Sequence, residues 1–193
     1  MSESGKLNPQ AGSVPDEVMS AEDMADAILD LSKAVVAKNP DIQSVVLLGI
    51  LKRGLPLAER MAAHVEKMTG TRPPVGSLAT TLYRDDLRAG LGHVKADTGT
   101  THFAFSIDDK TVVLVDDVLA AGRTIRAAMD EVMDYGRPAR IQLACLIDRG
   151  GRELPIQPDY LGRKVSPTPD QHISVRMVET DGHDAVILED KTK

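Results

Sequence analysis

The sequence is poor in aromatic residues and in cysteine. Its 193 residues include no Trp, three Tyr, two Phe and a single cysteine, Cys145. A core with so few rings must be aliphatic, and broad platforms for stacking nucleobases are not expected. One cysteine excludes an intrachain disulfide, and its place in the apolar segment IQLACLI predicts a small, buried hydrophobic residue.

Long apolar runs and an excess of positive charge are also missing. Since no membrane-length run or signal peptide is seen, we expect a cytoplasmic protein with no membrane partner. The net charge of −6 gives no sign of nucleic-acid binding by the molecule as a whole, which leaves a local basic face open. Composition predicts a disordered tail over residues 1–18, followed by a single domain over residues 19–193.

The most informative stretch lies in the middle of the chain. Thr111 to Val115 is an apolar, β-branched run that predicts a strand buried on both faces, as in a parallel sheet. Asp116 and Asp117 follow at its carboxyl end. A turn of small residues from Ala120 to Thr124 then leads into a helix predicted from Ile125 onward. Ligands of open α/β sheets bind at this position.

The residue types in this stretch suit a ribose 5-phosphate. A helix start offers backbone N–H groups to a phosphate, small residues allow its approach, and Thr124 adds a hydroxyl donor or a cap. Asp116 and Asp117 can accept hydrogen bonds from vicinal hydroxyls, or hold a divalent cation through water. The alternative is a solvated pair of acids before an ordinary turn. A phosphoryl-accepting receiver domain fits less well because the cradle follows the acids directly, and the Rossmann glycine pattern is absent.

A second strand, loop and helix precede this stretch. Ser44 to Leu48 predicts a buried strand, and a helix is predicted from Pro56. Between them, Lys52 and Arg53 place two cations where a pyrophosphate would fit. An ordinary basic loop is the alternative, but a site sharing one sheet edge with Asp116 favours the functional interpretation.

Two further regions complete the prediction. A helix capped by Ser20 runs to about Lys38, and a hairpin of Ile173–Val178 with Asp184–Leu188 closes the domain. A strand over Val75–Leu82 leads into a long segment without a core pattern, which suggests a mobile lid or else a plain surface hairpin. Its cationic candidates are Arg84, Arg88, His93 and Lys95.

Residues 112–124, VVLVDDVLAAGRT, resemble the phosphoribosyl pyrophosphate (PRPP) motif of type I phosphoribosyltransferases. Further stretches resemble the family of pyrimidine-operon regulators and uracil phosphoribosyltransferases known as PyrR: GILKRGLPLAERM, TLYRDDL, GRPARIQLACLIDRGGRELPI and DYLGRKV. The resemblance implies an α/β fold of the type I phosphoribosyltransferases, a mostly parallel sheet flanked by helices with a small hood. It also implies conversion of uracil and PRPP to UMP and pyrophosphate.

The resemblance assigns roles to residues of this chain. Asp116 and Asp117 hold the ribose hydroxyls, directly or through Mg²⁺, and Lys52 and Arg53 meet the pyrophosphate. Arg84 arrives with the closing loop. Arg149 and the backbone near Ile173 meet the base. The nucleotide site as a whole also includes His93, Val118, Leu119, Ala120, Ala121, Gly122, Arg123 and Thr124.

The family also implies a homodimer or larger homo-oligomer that binds pyr mRNA when UMP or UTP is present. Basic positions of the expected RNA face remain at Lys33, Lys38, Arg152 and Arg163. However, Leu29, Asp30, Gly151 and Gln157 replace residues that are polar or basic in well-studied members, which should weaken RNA binding. Two alternatives therefore stay open: a regulator whose PRPP site only senses UMP or UTP, and an enzyme that has lost the RNA role.

Overall fold

The computed structural model describes residues 16–80 and 100–191 of the chain. In chain order, the elements are β1 (Asp16–Met19), α1 (Ala21–Lys38), β2 (Val45–Ile50), α2 (Gly54–Thr69), β3 (Val75–Leu78), β4 (Thr111–Leu119), α3 (Arg123–Tyr135), β5 (Arg140–Asp148), β6 (Tyr160–Lys164), β7 (Gln171–Arg176), α4 (Val178–Asp181) and β8 (Ala185–Asp190). The centre of the fold is a five-stranded parallel sheet, in the strand order β3-β2-β4-β5-β6, and a second sheet has the order β1-β8-β7.

Strand β4 is apolar from Val112 to Val115, where both of its faces are covered. Val113 and Val115 pack in a core with α1 and α2, whereas Val112 and Leu114 pack in a second core with α3. All four side chains are inaccessible to solvent. Cys145 of β5 is buried in the second core, as predicted. The predicted α/β fold, with helices on both faces of a parallel sheet, is confirmed.

The central strand is longer than its apolar run. It was predicted to end at Val115 but continues to Leu119, because parallel pairing with β5 persists from Asp116 opposite Cys145 to Leu119 opposite Asp148. The two acids therefore lie inside β4 rather than after it. On the far side of the loop, α3 begins at Arg123 instead of Ile125.

Strands β1, β8 and β7 and the short helix α4 form the hood. Strand β8 pairs antiparallel with both neighbours, so the predicted closing hairpin is confirmed as β7–β8. Met177 and Val186 are buried in the same core as α1 and α2, which fixes the hood to the main sheet. The predicted tail over residues 1–18 was too long, since Asp16 to Val18 belong to β1; residues 1–15 lie outside the described residues.

Helix α1 starts with the predicted cap. The Ser20 hydroxyl accepts the Asp23 N–H at 3.2 Å, and the Asp23 carboxylate accepts the Ser20 N–H at 3.2 Å. These reciprocal bonds satisfy two backbone donors that a helix start leaves without partners. Within residues 16–80 and 100–191, no helix combines the length and apolar character needed to cross a bilayer.

Candidate active site

The loop between β4 and α3 encloses a concave space of about 220 Å³. Gly122 is the N-cap of α3 and has a φ of +94°, which side-chain-bearing residues rarely adopt. No side chain of the described residues caps this helix start; Thr124, considered as a cap, is instead the second residue of α3. The first-turn N–H groups can therefore receive an anion. The space is lined by Asp116, Val118, Leu119, Ala120, Ala121, Gly122, Arg123, Thr124 and Ile125.

Asp116 and Asp117 stand beside this space and bond to the chain that follows them. A carboxylate oxygen of Asp116 accepts the Asp117 N–H at 3.0 Å, and one of Asp117 accepts the Val118 N–H at 2.9 Å. Burial raises the pKa of Asp117, while the nearby Arg53 guanidinium and the Val118 N–H act to lower it. The pair is therefore a concentrated, partly desolvated negative charge next to a phosphate-sized cradle.

The loop between β2 and α2 lies against the same strand. A Cβ atom added to Gly54 would meet the Val115 carbonyl oxygen at 2.3 Å, and one added to Gly49 would meet the Leu55 Cα at 2.4 Å. Both glycines are needed for close backbone packing rather than for an unusual φ. Lys52 and Arg53 are thereby brought to the edge that carries the acids, and the Leu51–Lys52 peptide bond is cis.

The segment after β5 braces the cradle from behind. The Arg149 N–H donates to the Leu119 carbonyl at 3.0 Å, and the Glu153 N–H donates to the Ala121 carbonyl at 3.0 Å. The Arg152 guanidinium donates to the Ala120 carbonyl and to the Asp148 carboxylate, both at 2.8 Å. Arg149, one of the residues predicted to meet the base, therefore begins a segment that is bonded to the end of β4 and to the β4–α3 loop.

No cluster of three or more metal-ligating side chains of the His, Cys, Asp or Glu type occurs in residues 16–80 and 100–191. Asp116 and Asp117 still fit Mg²⁺, because this ion keeps several waters and commonly takes one or two carboxylates together with substrate phosphates. A site completed by its substrate is consistent with a pair of hard oxygen ligands beside an anion cradle.

A family model described as "Phosphoribosyl transferase domain" matches residues 16–190. The chain is 48% identical to the bifunctional protein PyrR of Chloroflexus aurantiacus over 172 residues, which cover 89% of this chain and 93% of that protein. It is 44% identical to the bifunctional protein PyrR of Clostridioides difficile, with 90% and 97% covered. The chain belongs to the PyrR family of phosphoribosyltransferases. The predicted resemblance is thus confirmed.

Solved structures support the fold of this PyrR-family chain. A hypoxanthine-guanine phosphoribosyltransferase of Bacillus anthracis superimposes with a TM-score of 0.65 at 15% identity, covering 91% of this chain and 98% of that one. A hypoxanthine phosphoribosyltransferase of Trypanosoma cruzi gives a TM-score of 0.67 at 15% identity, with 91% and 96% covered. At such identities the likeness establishes the type I phosphoribosyltransferase fold alone.

The remaining PyrR-type site residues are placed less directly. Arg149 follows β5 beside Leu119, whereas Ile173 lies in β7 of the hood and packs partly against the core of α1 and α2. The base contacts of both stay predictions. Arg84 and His93 lie outside the described residues, as does nearly all of the predicted lid.

The four basic residues predicted for RNA each have an acidic partner. Lys33 pairs with Asp30 at 2.9 Å and Lys38 with Asp159 at 2.5 Å, while Arg163 lies 3.7 Å from Asp23. Arg152, with only 15% of its side chain exposed, is held by Asp148 and by two main-chain carbonyls. The position of Arg152 indicates a structural role in the cradle, and its RNA contact remains a prediction.

Two residues of the site were given no role in the sequence analysis. Asp148 directly follows an apolar run of the sequence, as Asp116 does, so the same signal could have found it. Asp181 of α4 forms an ion pair with Arg53 at 3.1 Å across 128 positions of sequence, and no local pattern marks it.

Proposed function

We propose that this protein transfers the 5-phosphoribosyl group of PRPP to uracil, giving UMP and pyrophosphate. The observation that carries the proposal is that three features share one sheet edge: an anion cradle, an acid pair at the end of β4 and a cationic loop. A phosphate, a ribose diol and a pyrophosphate occur in this order in PRPP. PyrR-family membership supports uracil as the acceptor.

The cradle at Ala120–Thr124 binds the 5-phosphate through the backbone N–H groups of the α3 start. Asp116 and Asp117 accept hydrogen bonds from the ribose hydroxyls. As the bond from C1 to pyrophosphate breaks, positive charge develops on the ribose ring, and these carboxylates stabilise it.

The leaving pyrophosphate gains negative charge in the same step. Lys52 and Arg53 stabilise it from the β2–α2 loop, and we expect Arg84 to join them from the segment that follows β3. Asp116 and Asp117 would hold Mg²⁺, directly or through water, and the ion would supply further charge stabilisation. No nucleophilic side chain is required, because uracil itself attacks.

The test is UMP formation from uracil and PRPP by the purified protein, with and without Mg²⁺. Product that requires Mg²⁺ and uracil is expected, and hypoxanthine and orotate serve as control acceptors. If the protein forms no UMP but still binds added UMP, the proposed enzymatic activity is contradicted and a nucleotide sensor is favoured.

The second proposed activity is uridine-nucleotide-dependent binding of pyr mRNA by a homodimer or larger oligomer. The relatives' designation as bifunctional supports it, whereas the acidic partners of Lys33, Lys38 and Arg163 reduce the positive potential of the expected RNA face. Binding of a pyr leader RNA with and without UMP or UTP, across a salt series, tests this role. If no salt-dependent binding of the RNA is measured, the regulatory role is contradicted and the protein is an enzyme without RNA regulation.

A further inference from the structure

Arg53, the arginine of the cationic β2–α2 loop, is held by the hood. Its Nη2 atom lies 3.1 Å from one carboxylate oxygen of Asp181, and its Nε atom lies 3.4 Å from the other. The contact joins the loop after β2 to the end of α4. It therefore links a proposed pyrophosphate ligand to an element that has no other part in the site described above.

Asp181 is itself fixed before it meets Arg53. Its carboxylate accepts the Met177 N–H at 3.0 Å and the Thr180 hydroxyl at 2.6 Å. These donors and Arg53 hold the pKa of Asp181 well below its usual range, so the group is an anion at any physiological pH. The Asp181 carboxylate is thus held in place by its own neighbours, and it orients the longer, more flexible side chain of Arg53.

The position that results for Arg53 is useful to the site. Its guanidinium acts to lower the pKa of Asp117, so Arg53 is near the acid pair as well as bonded to the hood. Asp181 occupies the edge formed by Nε and Nη2, and within residues 16–80 and 100–191 no side-chain acceptor bonds to Nη1. A planar guanidinium held along one edge can present its other edge to phosphate oxygens.

We propose that Asp181 is a positioning residue that presets Arg53 to receive the pyrophosphate group. The inference rests on the proposed function for the identity of the anion. An arginine ordered in advance loses less side-chain freedom when the ligand binds. The opposing effect is that Asp181 offsets part of the positive charge of Arg53, and the sign of the measured change decides between them.

The chain contains a matched control for this contact. Asp184, three residues further along the hood, accepts the Val178 N–H at 2.8 Å and pairs with Arg60 of α2 at 2.7 Å. Both acids therefore accept a backbone N–H of the hood and pair with an arginine of α2 or of its N-cap. Only the arginine held by Asp181 belongs to the β2–α2 loop.

The experiment compares Asp181→Asn with Asp184→Asn, since asparagine retains an acceptor for the hood N–H but loses the charge. Calorimetry measures binding of inorganic pyrophosphate with Mg²⁺, and initial rates give kcat and KM for PRPP. We expect Asp181→Asn to raise the pyrophosphate Kd and the PRPP KM about five-fold, with kcat changed less than about two-fold. Asp184→Asn should leave both constants unchanged while lowering the Tm at least as much.

A double-mutant cycle separates positioning from general damage to the hood. In an Arg53→Met background, Asp181→Asn should no longer change pyrophosphate binding. Tighter or unchanged binding by Asp181→Asn alone, or an equal loss in Asp184→Asn, would overturn the inference. Pyrophosphate binding without UMP formation would contradict the proposed uracil reaction yet still allow this test, whereas a wild-type protein that binds no pyrophosphate contradicts both.

Discussion

The β4–α3 loop and the β2–α2 loop both follow a buried parallel strand and precede a helix, but they are organised differently. The β4–α3 loop, taken with the end of β4, uses main-chain groups, a glycine of positive φ and two acids within nine consecutive residues, Asp116–Thr124. The β2–α2 loop uses two long cationic side chains, and one of them is oriented by a carboxylate in the hood. A site made from backbone is local in sequence, whereas a site made from flexible cations depends on distant partners.

The largest effect in either loop is expected from substitution of Asp117. We expect Asp117→Asn to lower kcat about 100-fold to 1,000-fold, because a charge that faces the transition state is lost. Stability should not fall. Burial raises the pKa of Asp117, so the ionised carboxylate opposes folding as the pH rises through that pKa, and asparagine removes this cost at pH 7.

Initial rates and thermal unfolding check this prediction together. Asp130→Asn is the control, since Asp130 lies on α3 and pairs with Arg126 at the surface at 3.1 Å. A large fall in the Tm of Asp117→Asn with normal kcat would show that the acid is structural.

Gly54 tests the close approach of the two loops. In Gly54→Ala the new methyl group would meet the Val115 carbonyl at 2.3 Å, a backbone atom that cannot move alone. We expect a loss of about 2–3 kcal/mol in the free energy of unfolding, together with weaker PRPP binding. Urea unfolding gives the first quantity.

The control for this substitution is Gly70→Ala. Gly70 has a φ of +74° but open space around its Cβ position, so a cost of about 1–2 kcal/mol from conformation alone is expected. An equal effect of the two substitutions on PRPP binding would contradict the role of Gly54 in holding the loop against β4.

Arg60 joins α2 to the hood at a position outside the candidate site, so its substitution tests the stability of the hood by itself. Its guanidinium bonds to Glu179 and Asp184 and lowers the pKa of both carboxyl groups. Lowered pKa values add stability above the unfolded value of about 4, and this stability is lost as the pH falls through the folded pKa. Arg60→Met should therefore cost about 1–2 kcal/mol at pH 7, and the deficit should shrink below pH 4.

Urea unfolding between pH 7 and pH 3 measures this trend. Arg72→Met provides the control, because Arg72 pairs with Glu59 and Glu66 at an exposed position and should change stability by less than about 0.5 kcal/mol. A pH-independent deficit for Arg60→Met would mean that packing of its aliphatic part, not its ion pairs, stabilises the hood.

The smallest expected effect concerns RNA. Asp30→Asn releases Lys33 from its exposed partner on α1 and should tighten binding of a pyr leader RNA about two-fold at low salt, by one added phosphate contact at most. Filter binding at two salt concentrations measures it. Asp130→Asn on α3, across the sheet, should have no effect, and equal tightening by both would indicate net charge rather than a defined face.

Most of the fold could be predicted from the sequence, and so could the place of the acid pair and of the turn in the candidate site. Buried parallel strands appear as uninterrupted apolar runs; Asp116 and Asp117 follow such a run directly, and Gly122 lies in the small-residue turn that comes next. The extension of β4 to Leu119 was missed because pairing with β5, not side-chain polarity, sets the end of the strand. Asp181 was missed because its function depends on a contact that only the folded hood creates.

The bracing of the β4–α3 loop by the segment after β5 has a consequence for selectivity. The carbonyl groups of Ala120 and Ala121 are bonded away from the substrate, to Arg152 and to the N–H groups of Glu153 and Leu154. In a planar trans peptide the following N–H points opposite to its carbonyl. The loop therefore turns its N–H groups toward the enclosed space and its carbonyl groups away from it, which favours acceptors such as phosphate oxygens. Oxygen ligands for a cation come instead from the carboxylates of Asp116 and Asp117, which precede the loop. Anion selectivity here begins with where the carbonyl groups are satisfied.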